Sequence, residues 1–403
     1  MKYDFDKIIN RQGTNAMSTD GFREYLFNEE DALDFQCADD EFISMWIADM
    51  EFATAPEIIQ ALRDRLDHGI MGYSQVFGTD YKNAFSNWTK KRYDWTFDFD
   101  HWVSSPGVVP ALFDFIKYIC KPGDKVLTLT PSYAFFKHAA DKYNIELTTS
   151  DLVLQDGVYS MDFKDIKEKV ADEKVKLCFL CSPHNPTGRI WTATELRYFG
   201  KICLENNVMI IADEIHCDLL RRGKTFTPLA KLFPNTDQII TCMAPSKTFN
   251  LAGMMFANII IPNKKLREQW KEDHLPIDNP LSIVAAQAAY THGHDWLEEL
   301  TIYLDDNFLF LKKYLETHLP KAVFRISEAT YLAWVDVSAY FSKKENLTLF
   351  FANHAGVLLE GGNMFVSNSD GFIRLNLACS RKRLEEGMMK ISDAIVKKGV
   401  SSS

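Results

Sequence analysis

The stretch "KLCFLCSPHNPTGRIWTATELRYFGKICLENNVMIIAD", residues 176–213, holds two apolar runs separated by a polar loop and a segment with helical spacing. The runs at 176–182 and 208–213 are short and apolar, which predicts buried strands. The apolar residues of 193–206 recur at the period of a helix. A buried strand, a helix and a second buried strand form the unit from which parallel sheets are built.

Similar apolar runs lie on both sides of this unit, at 125–131, 238–243 and 255–261. Together they predict an α/β fold whose large sheet is mostly parallel and covered by helices on both faces. In such sheets ligands bind at the carboxyl ends of the strands. The polar loops that follow these runs are therefore the places to look for a functional site.

The C-terminal part of the chain has a different pattern. Strand-like runs at 330–337, 356–362 and 372–378 alternate with helical segments, and a long helical pattern at 296–319 is expected to bridge two bodies. The chain has 403 residues, which favours two domains over one. We expect an N-terminal segment (1–47) packing with the small domain, a large ligand-binding domain (48–290) and a smaller α+β domain (291–403).

Composition excludes several classes of protein. The net charge of −10 argues against nucleic acid or an anionic membrane surface as a partner. The sequence contains no run of about 18 apolar residues, so no transmembrane helix is expected. The eight cysteines are dispersed in apolar contexts, which indicates a reducing compartment, so we expect a cytoplasmic protein. The pair Cys178 and Cys181 is interpreted as buried thiols and "HGH" (292–294) as a solvated loop, so no metal is expected.

Two polar motifs follow predicted strands directly. "SPHNPTG" (182–188) has Asn185 at its centre, a side chain that offers both a donor and an acceptor. "ADEIHCD" (212–218) places Asp213 at the end of an apolar run. A carboxylate in that position either caps a helix or pairs with a buried cation.

Two further motifs carry an anion site and an amine. In "SSPGVVPALFDFI" (104–116), the backbone N–H groups of Gly107, Val108 and Val109 are predicted at a helix N-terminus, where anions bind. In "APSKTFNLAG" (244–253), Lys247 lies between the hydroxyl residues Ser246 and Thr248. Each motif alone is equally typical of an ordinary turn, helix start or surface charge.

The four motifs together supply an amine, a carboxylate, an amide and a phosphate cradle. Pyridoxal 5'-phosphate (PLP) uses all four: a lysine for its aldehyde, a carboxylate for its ring nitrogen, a donor for its phenolate and backbone amides for its phosphate. The sequence therefore predicts a PLP-binding site.

The wording and order of these motifs, with "WIADMEF" (46–52), "TPSYAFF" (130–136) and "IRLNLA" (373–378), also resemble a known family. The chain is similar to fold-type I PLP enzymes of the aspartate aminotransferase superfamily, and most to the cystathionine β-lyase and cystalysin-like C–S lyases of the MalY/PatB family. The resemblance extends from about residue 40 to the C-terminus. It implies a homodimer with shared active sites and an amino-acid substrate.

The resemblance also implies roles for single residues. Lys247 and Tyr133 would be catalytic, with Lys247 forming the Schiff base and Tyr133 stacking on the cofactor ring. Asp213 would pair with the ring nitrogen and Asn185 with the phenolate oxygen, and Asn185 would also contact the substrate. His216 would contact the cofactor, at a position where aminotransferases usually carry tyrosine.

Phosphate and substrate contacts follow in the same way. Phosphate would be held by Gly107, Val108, Val109 and Ser246, and by Tyr73 from the neighbouring subunit. Tyr73 would also reach the substrate, and Arg374 would bind its α-carboxylate as a two-pronged fork. Met255 stands where aminotransferases usually have a phosphate-binding arginine. His184, Trp46 and Tyr331 either line the site or belong to the core.

The expected reaction is α,β-elimination from L-cystathionine or a related sulfur amino acid, which yields pyruvate, ammonia and a thiol. An aminotransferase is the alternative, because both reactions begin with removal of the α-proton. A PLP-binding regulatory protein acting through a protein partner is the alternative from another class. Residue chemistry alone leaves the three open.

Overall fold

The computed structural model describes residues 2–27 and 35–401. Its helices are α1 (Phe22–Phe27), α2 (Pro56–Asp67), α3 (Thr79–Tyr93), α4 (Val108–Ile119), α5 (Ala134–Lys142), α6 (Phe163–Val170), α7 (Ala193–Glu205), α8 (Leu229–Leu232), α9 (Pro245–Thr248), α10 (Lys264–Asp273), α11 (Pro280–His292), α12 (His294–His318), α13 (Leu347–Ala355) and α14 (Arg381–Ser401). Among the described residues, no helix is long and apolar enough to cross a membrane.

The strands, in chain order, are β1 (Ile43–Ser44), β2 (Trp102–Ser105), β3 (Lys125–Thr130), β4 (Ser132–Tyr133), β5 (Glu146–Asp151), β6 (Val153–Gln155), β7 (Val158–Ser160), β8 (Val175–Cys181), β9 (Met209–Asp213), β10 (Ile239–Met243), β11 (Ala257–Ile260), β12 (Leu332–Asp336), β13 (Val357–Leu358), β14 (Glu360–Gly361), β15 (Phe365–Val366) and β16 (Phe372–Asn376). The main sheet has seven of them, in the order β2-β11-β10-β9-β8-β3-β5. Strands β10, β9, β8, β3 and β5 run parallel, and β11 is antiparallel to both of its neighbours.

Helices cover both faces of this sheet, as the continuous apolar runs predict. Successive residues of β8 alternate between the two faces: Phe179 packs with Leu112 of α4, whereas Leu180 packs with Phe199 of α7. Cys178 and Cys181 likewise belong to opposite clusters and are both buried and unpaired. The predicted α/β class with a mostly parallel sheet is confirmed.

A second, antiparallel sheet has the order β12-β16-β14 and lies in the C-terminal part. Helix α12 runs from one core to the other: Trp296 and Leu300 pack beside α11, whereas Phe308 and Leu315 pack under the small sheet. Because the apolar face of α12 serves both cores, it joins the two bodies as its length predicts. The exact domain boundaries stay a prediction.

The N-terminal segment makes contacts with both bodies. Phe5 packs on Phe52 and Trp296, with ring centroids 5.1 and 5.7 Å apart. Farther along, Phe22 and Trp46 belong to an apolar cluster with Leu358 of the small body.

The run "GVLLEGG" (356–362), predicted as one strand, is divided. Residues Val357–Leu358 pair in parallel with β1, whereas Glu360–Gly361 pair with β16 on the other side. The chain turns at Gly362, where a Cβ atom would lie 1.8 Å from the carbonyl oxygen of Ser369. An apolar run indicates burial but not its partners, so the sequence could not reveal this change of partner.

Candidate active site

The motif-bearing loops leave the main sheet at one edge. Asp213, the last residue of β9, pairs with Cys181 of β8 and with Cys242 of β10. On the far side, Met243 of β10 pairs with Asn258 of β11, and Ala257 pairs with Ser105 at the end of β2. The register therefore brings together the loops that carry Asn185, Asp213, Lys247 and Gly107, as expected at the carboxyl ends of parallel strands.

Lys247 lies in the short helix α9, one turn after β10 ends. Its Nζ donates a hydrogen bond to the carbonyl oxygen of Ala48 at 2.7 Å. The hydroxyl of Tyr331 donates to the same carbonyl at 2.8 Å. Burial lowers the pKa of Lys247, and the positive charge of Arg374 lowers it further, against the raising effect of Asp49. Tyr331, which the sequence left open, is therefore a neighbour of the lysine.

Two ionisable side chains of the loop after β9 have strongly shifted pKa values. Burial raises the pKa of Asp213 from 3.8 to about 6, and Lys247 acts against this rise. One carboxylate oxygen of Asp213 accepts from the N–H of Ile215 at 3.2 Å. Burial lowers the pKa of His216 to about 3, so this imidazole is neutral at ordinary pH.

Arg374, in the middle of β16, is 2% exposed. Its Nη1 donates to Oδ1 of Asn185 and its Nη2 to the carbonyl oxygen of Trp46, each at 3.0 Å. The small sheet thus contributes an arginine to the site at the edge of the large sheet. Trp46 belongs to this site through its backbone, while its indole packs in the N-terminal cluster.

Glu360 is a residue of this site that the sequence did not predict. Its Oε2 lies 2.6 Å from Nη2 of Arg374, and the two residues are direct partners in the β14–β16 register. The run "LEGGNMF" (359–365) only hinted at it, through an acidic residue inside an apolar segment. The pairing depends on strand register, which no local pattern reveals.

The predicted anion cradle has the expected backbone. Helix α4 begins at Val108 with Gly107 as its N-cap, so the first-turn N–H groups have no partners within the helix. Ser105 donates through its hydroxyl to the carbonyl oxygen of Gly107 at 2.7 Å, which braces the turn. Ser246 is partly exposed in helix α9, which follows β10 at the same sheet edge.

The model of the aminotransferase class I and II family matches residues 41–391 of this sequence. The chain belongs to this family. The cystathionine β-lyase PatB of Bacillus subtilis (strain 168) is 37% identical over 396 residues, which cover 97% of this chain and 99% of that protein. The resemblance inferred from the motifs is confirmed at the level of the family.

Solved structures in this family agree with the fold. A PLP-bound C–S lyase from Staphylococcus hominis, complexed with the inhibitor L-cycloserine, superposes with a TM-score of 0.95 at 49% identity and 98% coverage of both chains. Cystalysin from Treponema denticola, which contains PLP, gives a TM-score of 0.91 at 31% identity, covering 98% of this chain and all of that one. The predicted fold class, a fold-type I PLP-enzyme fold, is therefore confirmed.

Several buried polar atoms at this site have no hydrogen-bond partner within the described residues. They are Nδ1 of His216, Nε2 of His184, Oγ of Ser182 and Nε of Arg374. Buried polar atoms in folded proteins nearly always have a partner, which is either protein, ordered water or a bound group. A cofactor with a phenolate, a ring nitrogen and a phosphate, bearing an amino acid, offers the acceptors and donors that this set lacks, so the residues fit PLP.

Burial raises the pKa of Tyr133, and Glu360, Arg374 and Asp213 also act on it, so Tyr133 lies beside this cluster, whereas Tyr73 lies outside it. Tyr133, on β4, pairs with Phe365 of β15 and stacks on Phe135 with ring centroids 5.2 Å apart. Tyr73 is 94% exposed in the segment between α2 and α3. The structure therefore does not bring Tyr73 to the site of its own chain.

Proposed function

We propose that this protein is a PLP-dependent carbon–sulfur lyase that cleaves L-cystathionine or a related sulfur amino acid by α,β-elimination. The products are pyruvate, ammonia and a thiol. The observation that carries the proposal is the partly buried amine of Lys247, hydrogen-bonded to Ala48 and with a lowered pKa, at the sheet edge where Asp213 and Arg374 also lie. The relatives named above as cystathionine β-lyase and C–S lyase support the reaction.

The residues that would hold the cofactor are the predicted ones. Lys247 would bind its aldehyde carbon, Asp213 its ring nitrogen, and Asn185 and His216 its phenolate side. Tyr133 would contact the ring, and the phosphate would take the N–H groups of Gly107, Val108 and Val109 with the hydroxyl of Ser246. When bound, PLP supplies an aldehyde that reacts with amines and a ring that withdraws electrons from the α-carbon.

Lys247 is the residue that moves the proton. Since burial lowers its pKa, a larger share of its Nζ is the unprotonated amine than in an exposed lysine, and this neutral amine would serve as general base for the α-proton. Ala48 and Tyr331 orient this amine: the carbonyl oxygen of Ala48 accepts from Nζ, and the Tyr331 hydroxyl fixes that carbonyl.

Arg374 would orient the substrate through its α-carboxylate. A guanidinium binds a carboxylate by two parallel hydrogen bonds, which fixes direction as well as position. The arginine is buried, so its attraction for a carboxylate is weakly screened by water. Loss of the α-proton and departure of the thiolate from Cβ are then followed by hydrolysis to pyruvate and ammonia.

The protein is proposed to act as a homodimer in which Tyr73 completes the neighbouring site. Support comes from the surface around Tyr73, where the segments 70–77 and 275–277 carry large exposed apolar side chains: Ile70, Met71, Phe77, Leu275 and Ile277. Ser74 and Asp278 pair through their backbones, so the two segments form one surface. Apolar surface of this kind is typical of interfaces between subunits.

The unpaired cysteines support a cytoplasmic location.

The test is release of pyruvate from L-cystathionine by the PLP-loaded protein without any keto acid. Steady pyruvate with equal amounts of ammonia and homocysteine is expected. An aminotransferase would need a keto-acid acceptor and would release no thiol. Absence of pyruvate from cystathionine, cysteine and cystine would refute the lyase. If the protein were instead regulatory, its Lys247→Ala variant would still bind the protein partner.

A further inference from the structure

The guanidinium of Arg374 is surrounded by groups of its own chain. Nη1 donates to Asn185, Nη2 donates to the carbonyl oxygen of Trp46, and Nη2 also forms an ion pair with Glu360 at 2.6 Å. Nε has no hydrogen-bond partner within the described part of the chain. Arginine and glutamate are both buried, at 2% and 8% exposure.

A carboxylate can bind an arginine by two prongs along two edges only. One edge pairs Nε with Nη2, and the other pairs Nη1 with Nη2, because the guanidinium is planar. Both edges include Nη2, which is the nitrogen that Glu360 contacts. Nη2 has only two N–H groups and already contacts two acceptors, the carbonyl oxygen of Trp46 and the carboxylate of Glu360. A second carboxylate therefore takes two prongs of Arg374 only when one of these acceptors leaves, and Glu360 is the one whose side chain can turn away.

We propose that Glu360 occupies the carboxylate position of Arg374 in the resting site, and that the α-carboxylate of the amino-acid substrate binds by displacing it. This inference rests on the proposed function for the identity of the ligand, and it adds a residue that determines selectivity. Because one carboxylate replaces another, Arg374 has a negatively charged partner before and after binding.

The surroundings of Glu360 allow this exchange. It belongs to a strand of two residues, β14, and it interacts electrostatically with Lys247, Tyr25 and Tyr133 as well as with Arg374. A displaced carboxyl therefore remains beside polar groups rather than in an apolar core. The unpaired Nε of Arg374 supplies the donor that the incoming carboxylate gains.

Exchange makes the site selective for a charged carboxylate. An amidated ligand cannot replace Glu360, because a neutral amide is attracted to the guanidinium far less than a carboxylate is. Glu360 also keeps Arg374 paired in the resting protein, where an unpaired buried charge would be destabilising.

The test measures binding of L-alanine and L-alaninamide to the PLP-loaded protein, through the change in the visible absorption band of the cofactor. L-alanine has no leaving group, so the measurement does not depend on C–S cleavage. The variants are Glu360→Gln and, in case that variant folds poorly, Glu360→Ala. Glu345→Gln is the matched control, since it removes the same charge from an ion pair with Lys398 outside the site.

We expect both Glu360 variants to lower the apparent Kd of L-alanine about 3- to 10-fold, because its carboxylate no longer has to displace the charge-assisted contact between Glu360 and Arg374. The Kd of L-alaninamide and all values of the Glu345 variant should not change. Unchanged or weaker L-alanine binding, or equal tightening of L-alaninamide, would overturn the proposal. Tighter L-alanine binding by the Glu360 variants, together with no pyruvate release from cystathionine, cysteine or cystine by the unchanged protein, would refute only the lyase.

Discussion

The guanidinium of Arg374 donates to the side-chain oxygen of Asn185 at 3.0 Å, although the two residues lie 189 positions apart in the chain. Arg374 belongs to the small antiparallel sheet and Asn185 to the loop after β8 of the large sheet. The hydrogen bond thus joins a predicted substrate-binding residue with a predicted cofactor-binding residue. It makes the position of the small sheet a determinant of the active site.

Replacing Arg374 by lysine tests the role of the fork. Lysine keeps the charge but loses the planar pair of donors and the bond to Asn185. We expect kcat/KM for L-cystathionine to fall about 10- to 100-fold, mostly through KM, which corresponds to one or two charged hydrogen bonds. Steady-state kinetics measure this. A change confined to kcat would contradict carboxylate binding by Arg374.

The Lys247→Ala variant should lose turnover while the protein stays folded. General base catalysis contributes about 10²- to 10⁴-fold, so we expect pyruvate release to fall by at least that factor. The measurement is pyruvate release at saturating cystathionine, together with the cofactor spectrum. The control is Lys201→Ala, which removes a surface amine in a weak pair with Glu205. Activity within tenfold of the wild type would exclude Lys247 as the base.

Asp213→Asn should stabilise the cofactor-free protein at neutral pH. The folded-state pKa of about 6 lies above the ordinary value of 3.8, so ionising Asp213 in the folded protein costs free energy as pH rises between these values. The shift corresponds to about 3 kcal/mol above pH 6. Thermal unfolding should show a higher Tm for the variant at pH 7.5 and no difference near pH 4.

The same variant should behave in the opposite way once PLP is added. A carboxylate that pairs with the ring nitrogen stabilises the loaded protein, whereas asparagine has no charge with which to pair. We therefore expect PLP to raise the Tm of the wild type more than that of Asp213→Asn. An equal rise in both proteins would contradict the role of Asp213.

His216 should make the protein sensitive to acid. Its folded-state pKa of about 3 lies below 6.5, so the folded protein excludes a proton that the unfolded chain accepts. Its contribution to stability is complete above pH 6.5 and is lost as pH falls toward 3, by roughly 5 kcal/mol at most. Denaturant unfolding of His216→Gln should depend less on pH in this window. The exposed His68→Gln is the control, and an unchanged pH slope would count against the prediction.

Hybrid dimers test whether Tyr73 completes the neighbouring site. Tyr73→Ala and Lys247→Ala should each have little activity alone. If subunits exchange after mixing, each mixed dimer holds one site with both Lys247 and the partner's Tyr73 intact, so activity should recover to about a quarter of the wild type. Mixing either variant with itself is the control. Failure to recover, with subunit exchange demonstrated separately, would place Tyr73 outside the neighbouring site.

The sequence by itself determined the fold class and the candidate set of cofactor ligands. The runs at 125–131, 176–182, 208–213 and 238–243 all form strands, because burial on both faces of a parallel sheet is recorded in a local, continuous apolar pattern. The polar loops after them are also local, so Asn185, Asp213 and Lys247 could be chosen before any contact was known. Strand order and parallel direction then brought them to one edge.

Only the tertiary structure decided which side chains contact each other and which donate to the same carbonyl oxygen. Glu360 forms an ion pair with Arg374 because the two residues are partners in the β14–β16 register. This register requires the run 356–362 to divide, with Val357–Leu358 pairing with β1 instead. Tyr331 and Lys247 meet at the carbonyl oxygen of Ala48, which comes from a third segment. The contacts at Ala48 join segments 199 and 283 residues apart. All of these contacts depend on register and side-chain direction, which periodicity and composition do not encode.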